Sequence, residues 1–418
     1  MRLEREQYVR QLRESQWNGL IKVVTGVRRC GKTYLLTTLF HDHLVSSGVS
    51  ESRIIELSLD DWAQRSLREP EALYEAVRSR VKDGGQYYLI LDEVQLVTHF
   101  EELLNSFLRW GNVDVYVTGS NSRFLSSDVI TEFRGRGEEI RVHPLSFSEF
   151  APAYPGSEEE AWESYVTYGG MPVVLSLTTA QKKMEYLRQL VLNVYLRDIC
   201  ERHRVRHAEE LEELLSFVFS AIGSLVNPQK LSRTFQSVKG KQIQARTVAH
   251  YLRHFEESFL LSQSHRYDVK GKRYINTLSK YYAEDVGLRN AHLGFRQMEL
   301  THLMENIIYN ELRVRGYAVD VGVVPVHGRA ADGRRTQQSL EVDFVASRGG
   351  RRFYVQSALA MESPEKREQE LRPFRHIPDA FRRIVITGDN FGPRMDEMGT
   401  TTIGIRRFLM HPGGLETL

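Results

Sequence analysis

The feature that most constrains this chain is the stretch KVVTGVRRCGKTYLL, from Lys22 to Leu36. It places a glycine, four further residues and then Gly-Lys-Thr between a β-branched run and a leucine-rich run, which is the pattern G-x-x-x-x-G-K-[ST]. The run IKVVTG has the continuous apolar character of a buried strand in a parallel sheet. The run YLLTTLFHDHL has the spacing of a helix with one apolar face. The sequence therefore predicts a strand, a loop and a helix in this order.

This order predicts a loop that binds the phosphates of a nucleotide. Gly26 and Gly31 would let the loop fold back so that backbone amides face phosphate oxygens. Lys32 would reach the β and γ phosphates, and the hydroxyl of Thr33 would coordinate magnesium. We therefore predict ATP and Mg²⁺ as cofactors, with ATP favoured over GTP because the sequence has no Asn-Lys-x-Asp motif. The predicted nucleotide-binding residues are Gly26, Val27, Arg28, Arg29, Cys30, Gly31, Lys32, Thr33 and Tyr34.

Two later runs predict the rest of such a site. The apolar run YYLILDE ends in Asp92, which would hold the magnesium through water, and Glu93, which would polarise the water that attacks the γ phosphate. The strand ends of a parallel sheet carry the chemistry, so both carboxylates are expected near the loop. A third run, VDVYVTGSNSRF, ends in a polar turn that offers a sensor of the γ phosphate, with Asn121 as the first candidate and Ser120 as the second.

The composition excludes several classes of protein. The 418 residues are 41% hydrophobic and 26% charged, which fits a globular chain of two or three domains. A net charge of +2 gives no global field toward nucleic acid or an anionic membrane. The start MRLEREQYVR has no signal-peptide character, and no apolar run approaches the roughly 20 residues of a membrane helix. We therefore expect a cytoplasmic protein without a membrane partner.

The two cysteines, Cys30 and Cys200, are too few for a disulfide framework, which fits a reducing compartment. Cys30 lies inside the predicted phosphate loop, close in sequence to Arg28, Arg29 and Lys32. These positive charges and the helix N-terminus predict a lowered thiol pKa for Cys30. We therefore expect bound ATP to protect Cys30 from alkylation more than it protects Cys200.

Five segments together resemble a known family. They are GVRRCGKT, LILDEVQ, VTGSNSRFLSSDV, FRGRGEEIRVHPLSFSEF and YGGMP, and they are similar to the AAA+-like ATPases of bacteria and archaea that carry an uncharacterised C-terminal domain. The resemblance covers essentially the whole chain. It implies a P-loop ATPase core followed by helices, a winged helix and a region similar to restriction endonucleases. It also implies that Arg134 or Arg136 is an arginine finger toward a neighbouring subunit, and hence a possible homo-oligomer.

The predicted fold class is α/β, and the predicted order of domains follows the chain. Residues 1–150 would form the P-loop NTPase core with its parallel sheet, and residues 151–225 a helical lid, because their apolar residues recur at three and four positions. Residues 226–275 would form the winged helix. Residues 276–418 would form the restriction-endonuclease-like α/β domain.

The winged-helix region is locally basic in a nearly neutral chain. A footprint on duplex DNA would have this pattern, but solvated faces are often basic as well, and winged helices also contact proteins. Its acidic residues are only Glu256, Glu257 and Asp268. The basic residues are Lys230, Arg233, Lys239, Lys241, Arg246, Arg253, Arg266, Lys270, Lys272 and Arg273.

The C-terminal region carries part of a nuclease pattern. Glu305 on a helix and Asp343 on a strand match the first two positions of nucleases of the PD-(D/E)xK kind. The third position should read acidic residue, spacer, lysine, but this chain has Gln356, Ser357 and Ala358. Two basic residues, Lys366 and Arg367, could replace the missing lysine. Glu341 cannot easily replace the missing acidic residue, because it would lie about 7 Å along the strand from Asp343. We therefore expect a nuclease-like shape without DNA cleavage.

Three functions are compatible with these features. The leading prediction is an ATP-hydrolysing switch or remodelling protein of the AAA+-like kind, with a module that faces duplex DNA or an unknown protein partner. The second is a DNA-processing enzyme in which ATP hydrolysis controls a C-terminal nuclease. The third is a nucleotide-gated interaction protein with no role on nucleic acid.

Overall fold

The computed structural model describes residues 2–119, 133, 135–239, 243–329 and 335–418. The chain divides into two compact units. The first unit comprises Met1–Pro144 with Glu257–Phe259, and the second comprises Leu145–Glu256 with Leu260–Leu418.

The first unit is built on a sheet of five parallel strands in the order β2-β3-β4-β1-β5. Every residue of β1, β3 and β4 is buried, because these strands have neighbours on both edges and helices on their faces. The predicted parallel sheet is therefore confirmed. The strands are β1 (Ile21–Gly26), β2 (Ile54–Ser58), β3 (Tyr87–Asp92), β4 (Val113–Thr118) and β5 (Gly137–Val142).

Among the described residues of the first unit, four helices pack with this sheet. The helix that follows the loop after β1 is labelled α2 and runs through three consecutive segments, of which the middle one has π-helical hydrogen bonding. The helices are α1 (Glu6–Glu14), α2 (Lys32–Tyr34, Leu35–Phe40 and His41–Ser46), α3 (Pro70–Arg78) and α4 (Phe100–Leu108).

The strand register brings the carboxyl ends of the five parallel strands to one edge of the sheet. Ser58, the last residue of β2, pairs with Asp92 at the end of β3, and Leu91 pairs with Val117, next to the end of β4. Gly26, which ends β1, pairs with Val142 at the end of β5. The loop that follows β1 and the acidic pair that follows β3 consequently lie at the same edge.

The second unit begins with one helix before residue 151 and continues with others inside the range 151–225, where helices were predicted. Two of them start with a capping box, in which a serine side chain accepts from the backbone of a glutamate that bonds back to the serine. The helices are α5 (Phe147–Phe150), α6 (Glu158–Tyr168), α7 (Ala180–Gln189, the π-helical Leu190–Leu196 and Arg197–His203) and α8 (Ala208–Ser220).

A nine-stranded mixed sheet forms the rest of the second unit, in the order β13-β14-β12-β11-β10-β9-β7-β8-β6. The strands are β6 (Leu225–Val226), β7 (Leu261–Asp268), β8 (Arg273–Ala283), β9 (Ala318–Arg329), β10 (Arg335–Arg348), β11 (Arg351–Ala358), β12 (Arg382–Thr387), β13 (Arg394–Met395) and β14 (Thr400–Gly404). The remaining helices are α9 (Pro228–Lys239), α10 (Ala245–Glu257), α11 (Val286–His292), α12 (Leu300–Val314), α13 (Pro364–Arg375) and α14 (Ile405–Met410).

The order helix, helix, strand, strand predicted for the winged helix is present as α9, α10, β7 and β8. The two strands do not form a separate wing, however, because β7 also pairs in parallel with β9, with Tyr267 opposite Gly322. The predicted boundary at 275/276 falls inside β8, so the sheet runs across it without interruption. Within the described part of the chain, no helix combines the length and apolar character that spanning a membrane requires.

Candidate nucleotide-binding site

The loop between β1 and α2 folds back on itself through three residues with positive φ. They are Gly26 at +132°, Arg29 at +67° and Gly31 at +100°. At Gly26 only glycine fits, because a Cβ atom would lie 2.0 Å from the carbonyl oxygen of Val142. At Gly31 a Cβ atom would meet nothing within 4 Å, so the backbone there borders open space. The loop therefore folds back on itself at Gly26 and Gly31, as expected from the sequence.

Lys32 begins α2 and folds over this loop. Its side chain is buried, and Nζ donates to the carbonyl oxygens of Gly26, at 3.0 Å, and Val27, at 3.2 Å. The amides of the first helical turn have no carbonyl acceptor within the helix. The positive end of a helix thus adjoins the open space beside Gly31, and an ammonium lies against the same loop, so that both favour an anion there.

The hydroxyl of Thr33 meets the carboxylate of Asp92. It donates to this group, with Oγ1 2.9 Å from Oδ2 and 3.1 Å from Oδ1. Asp92 is buried, and burial raises the pKa of its carboxyl, although hydrogen bonds from Thr118 and Thr33 oppose the shift. A hydroxyl and a carboxylate are oxygen ligands of the kind that Mg²⁺ prefers, and their separation suits a shared hard cation.

Thr118, the last residue of β4, is part of this arrangement and was not predicted. Its buried hydroxyl donates to Oδ1 of Asp92 and accepts from the backbone N–H of Glu93 at 2.9 Å. Glu93 itself has a positive φ of 55°, and its carboxylate accepts from the side chain of Gln95. A polar residue at the end of a strand next to β3 is the signal that could have pointed to Thr118.

Arg5 stabilises the loop through hydrogen bonds to its backbone, and the sequence analysis did not predict this role. It is almost completely buried, and its guanidinium donates to the carbonyl oxygen of Cys30 at 3.0 Å and to that of His143 at 2.8 Å. Because the Cys30 carbonyl points toward Arg5, the N–H at the other side of the same peptide plane, that of Gly31, points away from Arg5. Arg5 thereby fixes the orientation of one amide in the loop.

The predicted lowering of the Cys30 pKa is wrong. The thiol is fully buried, with Sγ 3.4 Å from the carbonyl oxygen of Val142. Burial raises the pKa of Cys30, and this effect outweighs the opposing charges of Lys32 and Arg5. The side chain of Cys30 therefore packs into the core, and only its backbone belongs to the loop.

The other residues predicted for this site differ in their exposure and in their contacts. Arg28 and Arg29 are exposed and Val27 is buried, while the hydroxyl of Tyr34 accepts from the backbone of Leu3 at 3.3 Å. The side chain of Arg136 is exposed and donates to the amide oxygen of Asn105 at 3.5 Å. Residues Asn121, Ser120 and Arg134 lie outside the described residues, so their roles stay predictions.

The structure brings Glu305 and Asp343 of the second unit together around a lysine that the sequence analysis missed, Lys280 of β8. It does not bring Lys366 there, because this lysine pairs with Glu370 at 2.8 Å. Arg367 is directed to Asp396. Gln356, at the expected position of the second acid, contacts the backbone N–H of Asp343 at 3.4 Å.

The basic residues of the α9–β8 region are mostly exposed. Arg246 and Arg253 lie seven positions apart on α10, which places them on one face of the helix two turns apart. Lys270, Lys272 and Arg273 are exposed at the turn between β7 and β8, and Arg266 is half-buried. The side chain of Lys239 and residue Lys241 are not among those described.

Comparison with known proteins identifies two regions of the chain that match known domains. Residues 18–151 match the AAA domain, and residues 159–299 match a domain of unknown function (DUF8612). A solved structure, the Orc1 protein of Aeropyrum pernix in complex with DNA, is 13% identical, covers 71% of this chain and 94% of that chain, and has a TM-score of 0.30.

Two relatives match most of the chain. An uncharacterized protein of Methanocaldococcus jannaschii is 24% identical over 370 residues, which are 85% of this chain and 78% of the relative. An uncharacterized protein of Haemophilus influenzae is 31% identical over 392 residues, which are 92% of this chain and 93% of the relative. The chain therefore belongs to the same family as this Haemophilus influenzae protein, and residues 18–151 of the chain match the AAA domain.

Proposed function

We propose that this chain binds ATP with Mg²⁺ and hydrolyses it, and that it acts as a switch or remodelling protein of the AAA+ kind. The observation that carries the proposal is the meeting of Thr33, Asp92 and Thr118 at one edge of the parallel sheet, next to Lys32 and Glu93. A bare glycine-rich turn would not need a buried carboxylate held by two hydroxyl groups from different segments.

Each side chain has a separate task in this proposal. Lys32 exchanges its bonds to the carbonyl oxygens of Gly26 and Val27 for phosphate oxygens of the nucleotide. Thr33 and Asp92 hold the magnesium, which neutralises charge on the phosphates when it is bound. Glu93 orients water for attack on the γ phosphate, and Thr118 keeps its backbone in place. Asn121, Arg134 and Arg136 remain the candidates for sensing the γ phosphate, the two arginines across a contact between copies of the chain.

The experiment is steady-state ATP hydrolysis by the full chain with magnesium. Glu93→Gln should keep nucleotide binding and lower turnover by about 10²-fold or more, because the water-orienting carboxylate is lost. Glu102→Gln on α4 is the matched control, since it removes one exposed carboxylate of the same unit without touching the site. Equal turnover in Glu93→Gln and the unmodified chain would contradict the role of Glu93.

A contact with duplex DNA is the second part of the proposal. It is supported by the exposed face of α10 that carries Arg246, His250 and Arg253, and by the exposed turn with Lys272 and Arg273. Two arginines on one helical face, seven residues apart, can each reach a phosphate of the same duplex. The alternative is an unknown protein partner with an acidic surface, and the following test distinguishes this partner from duplex DNA.

The test is binding of a labelled duplex at increasing salt. Affinity should fall steeply between roughly 50 and 200 mM salt, and the double variant Arg246→Ala/Arg253→Ala should lower the salt slope by about two. The control is Lys182→Ala/Arg188→Ala, which removes two exposed charges from α7 of the same unit. Absence of salt-dependent binding would favour a protein partner, and equal loss in both double variants would contradict a contact through α10.

A further inference from the structure

Lys280 is buried among carboxylates in the second unit. It extends from β8, and only 4% of its side chain is exposed. Its ammonium lies 2.9 Å from Oε1 of Glu305 on α12 and 2.8 Å from Oε1 of Glu341 on β10. Oδ1 of Asp343, also on β10, lies 3.9 Å away. We refer to these four residues as the Lys280 cluster.

Further contacts fix the carboxylates of the cluster. The hydroxyl of Tyr282, two residues along β8, donates to Oε1 of Glu305 at 2.7 Å. The backbone N–H of Ser357 donates to Oδ2 of Asp343 at 2.8 Å. Glu305 therefore accepts from an ammonium and a phenol at the same oxygen. Because these donors come from the sheet, the carboxylates of Glu305 and Asp343 are held in place beside Lys280 and do not behave as mobile surface groups.

The charges within the cluster keep Lys280 protonated. Burial opposes the ammonium form, but the carboxylates of Glu305, Asp343 and Glu341 outweigh it and raise the pKa of Lys280 above its ordinary value. Burial raises the pKa of Asp343, and repulsion from Glu305 adds to this shift, whereas Lys280 opposes it. A buried group of carboxylates needs a compensating cation, and here the protein supplies it from its own chain.

The ammonium occupies the space between carboxylate oxygens that are spaced for Nζ and not for a metal ion. Mg²⁺ requires oxygen ligands at about 2.0–2.1 Å, and the space between Glu305 and Glu341 holds Nζ instead. Within the described part of the chain, the ligand oxygens of Glu305, Glu341 and Asp343 are not all within 4.8 Å of one another. A metal ion and the ammonium would compete for one set of carboxylates, and two adjacent positive charges repel each other.

We propose that the ammonium of Lys280 replaces a divalent cation in this cluster, so that the second unit contains a latent metal site that opens only when Lys280 is removed. The native cluster then binds neither Mg²⁺ nor Mn²⁺ and supports no metal-dependent cleavage of DNA. This proposal concerns the second unit alone and does not depend on ATP binding by the first.

The test is titration of Mn²⁺ without nucleotide, followed by electron paramagnetic resonance of the free ion. The full chain carries Thr33→Ala throughout, which removes a predicted metal ligand of the first unit. Lys280→Ala should gain one site that binds Mn²⁺ at least about tenfold more tightly than the parent does, because a competing charge is gone. Adding Asp343→Asn should remove that site. Lys272→Ala, which deletes an exposed lysine next to the same strand, is the matched control and should gain none.

Two results would overturn the proposal. One is a Mn²⁺ site in the parent that disappears with Asp343→Asn, since Lys280 would then not exclude the metal. The other is a folded Lys280→Ala chain that gains no site. If Lys280→Ala is unfolded without metal, its thermal unfolding with added Mn²⁺ decides: recovery of the transition supports the proposal, and no recovery contradicts it.

A cleavage assay gives an independent result. Supercoiled, linear and branched DNA should remain intact with the unmodified chain in either Mg²⁺ or Mn²⁺. Cleavage that is lost in Asp343→Ala would contradict the proposal and would favour an ATP-controlled nuclease.

Discussion

Replacing Thr118 by valine removes the hydroxyl group and nearly preserves the shape of the side chain, so the variant tests the hydroxyl alone. The side chain is buried at the end of β4, and its hydroxyl joins the carboxylate of Asp92 to the backbone N–H of Glu93. A hydrogen bond to a buried charged group contributes about 1.5–3 kcal/mol, and an amide left without an acceptor costs about 1–3 kcal/mol. Burial of the methyl group that takes the place of the hydroxyl in valine offsets part of this loss of stability. We therefore expect Thr118→Val to lower the free energy of unfolding by about 3 kcal/mol.

Tryptophan fluorescence during urea unfolding can measure this loss in the first unit, since Trp17, Trp62 and Trp110 belong to it and only Trp162 belongs to the second. Turnover of ATP should fall about tenfold, because Glu93 loses the contact that holds its backbone. Thr118→Ser keeps the hydroxyl and should recover both properties. A valine variant equal to the unmodified chain in stability and turnover would refute this reasoning, as would a serine variant impaired as strongly as valine.

Three further outcomes follow from single positions. Gly26→Ala should abolish ATP binding, measured by calorimetry, because its Cβ would lie 2.0 Å from a carbonyl oxygen of β5, whereas Gly48→Ala, with nothing within 4 Å, should retain it. Mass spectrometry after alkylation of the native chain should find Cys200 modified and Cys30 unmodified, with or without ATP, because only Cys30 is fully buried. Burial lowers the pKa of His292 from 6.5 to about 4, so the folded state prefers the neutral ring and stability should fall as pH decreases from 6.5 toward 4. By about pH 5 the loss should reach about 2 kcal/mol, and urea unfolding should show a smaller loss in His292→Gln.

The sequence predicted the first unit well because its signals are local. A continuous apolar run specifies a strand that is buried on both faces, and β1, β3 and β4 each have such a run. The glycines at 26 and 31 specify positive φ within a short loop. The position of Asp92 followed from the rule that the carboxyl ends of parallel strands share one edge.

The residues that sequence analysis missed act through distant segments. Arg5 holds a backbone carbonyl 25 positions away, and a carbonyl has no signature in sequence. Thr118 acquires its role only because β4 lies beside β3. In the sequence, Lys280 resembles an exposed lysine on a strand. Its burial results from contacts with Glu305 on α12 and Glu341 on β10, which are distant in the sequence. The continuity of β7 with β9 likewise depends on strand pairing across more than 50 residues.

Titration of ATP with magnesium into the full chain, followed by calorimetry, tests the central proposal most directly. We expect saturable binding to the unmodified chain and to Lys182→Ala, a control that removes an exposed lysine of α7. We expect binding to be abolished, or nearly so, in Lys32→Ala, because this ammonium, held on the carbonyl oxygens of Gly26 and Val27, is the one proposed to bind the phosphates. Unchanged affinity in a folded Lys32→Ala chain would contradict the assignment of the nucleotide site.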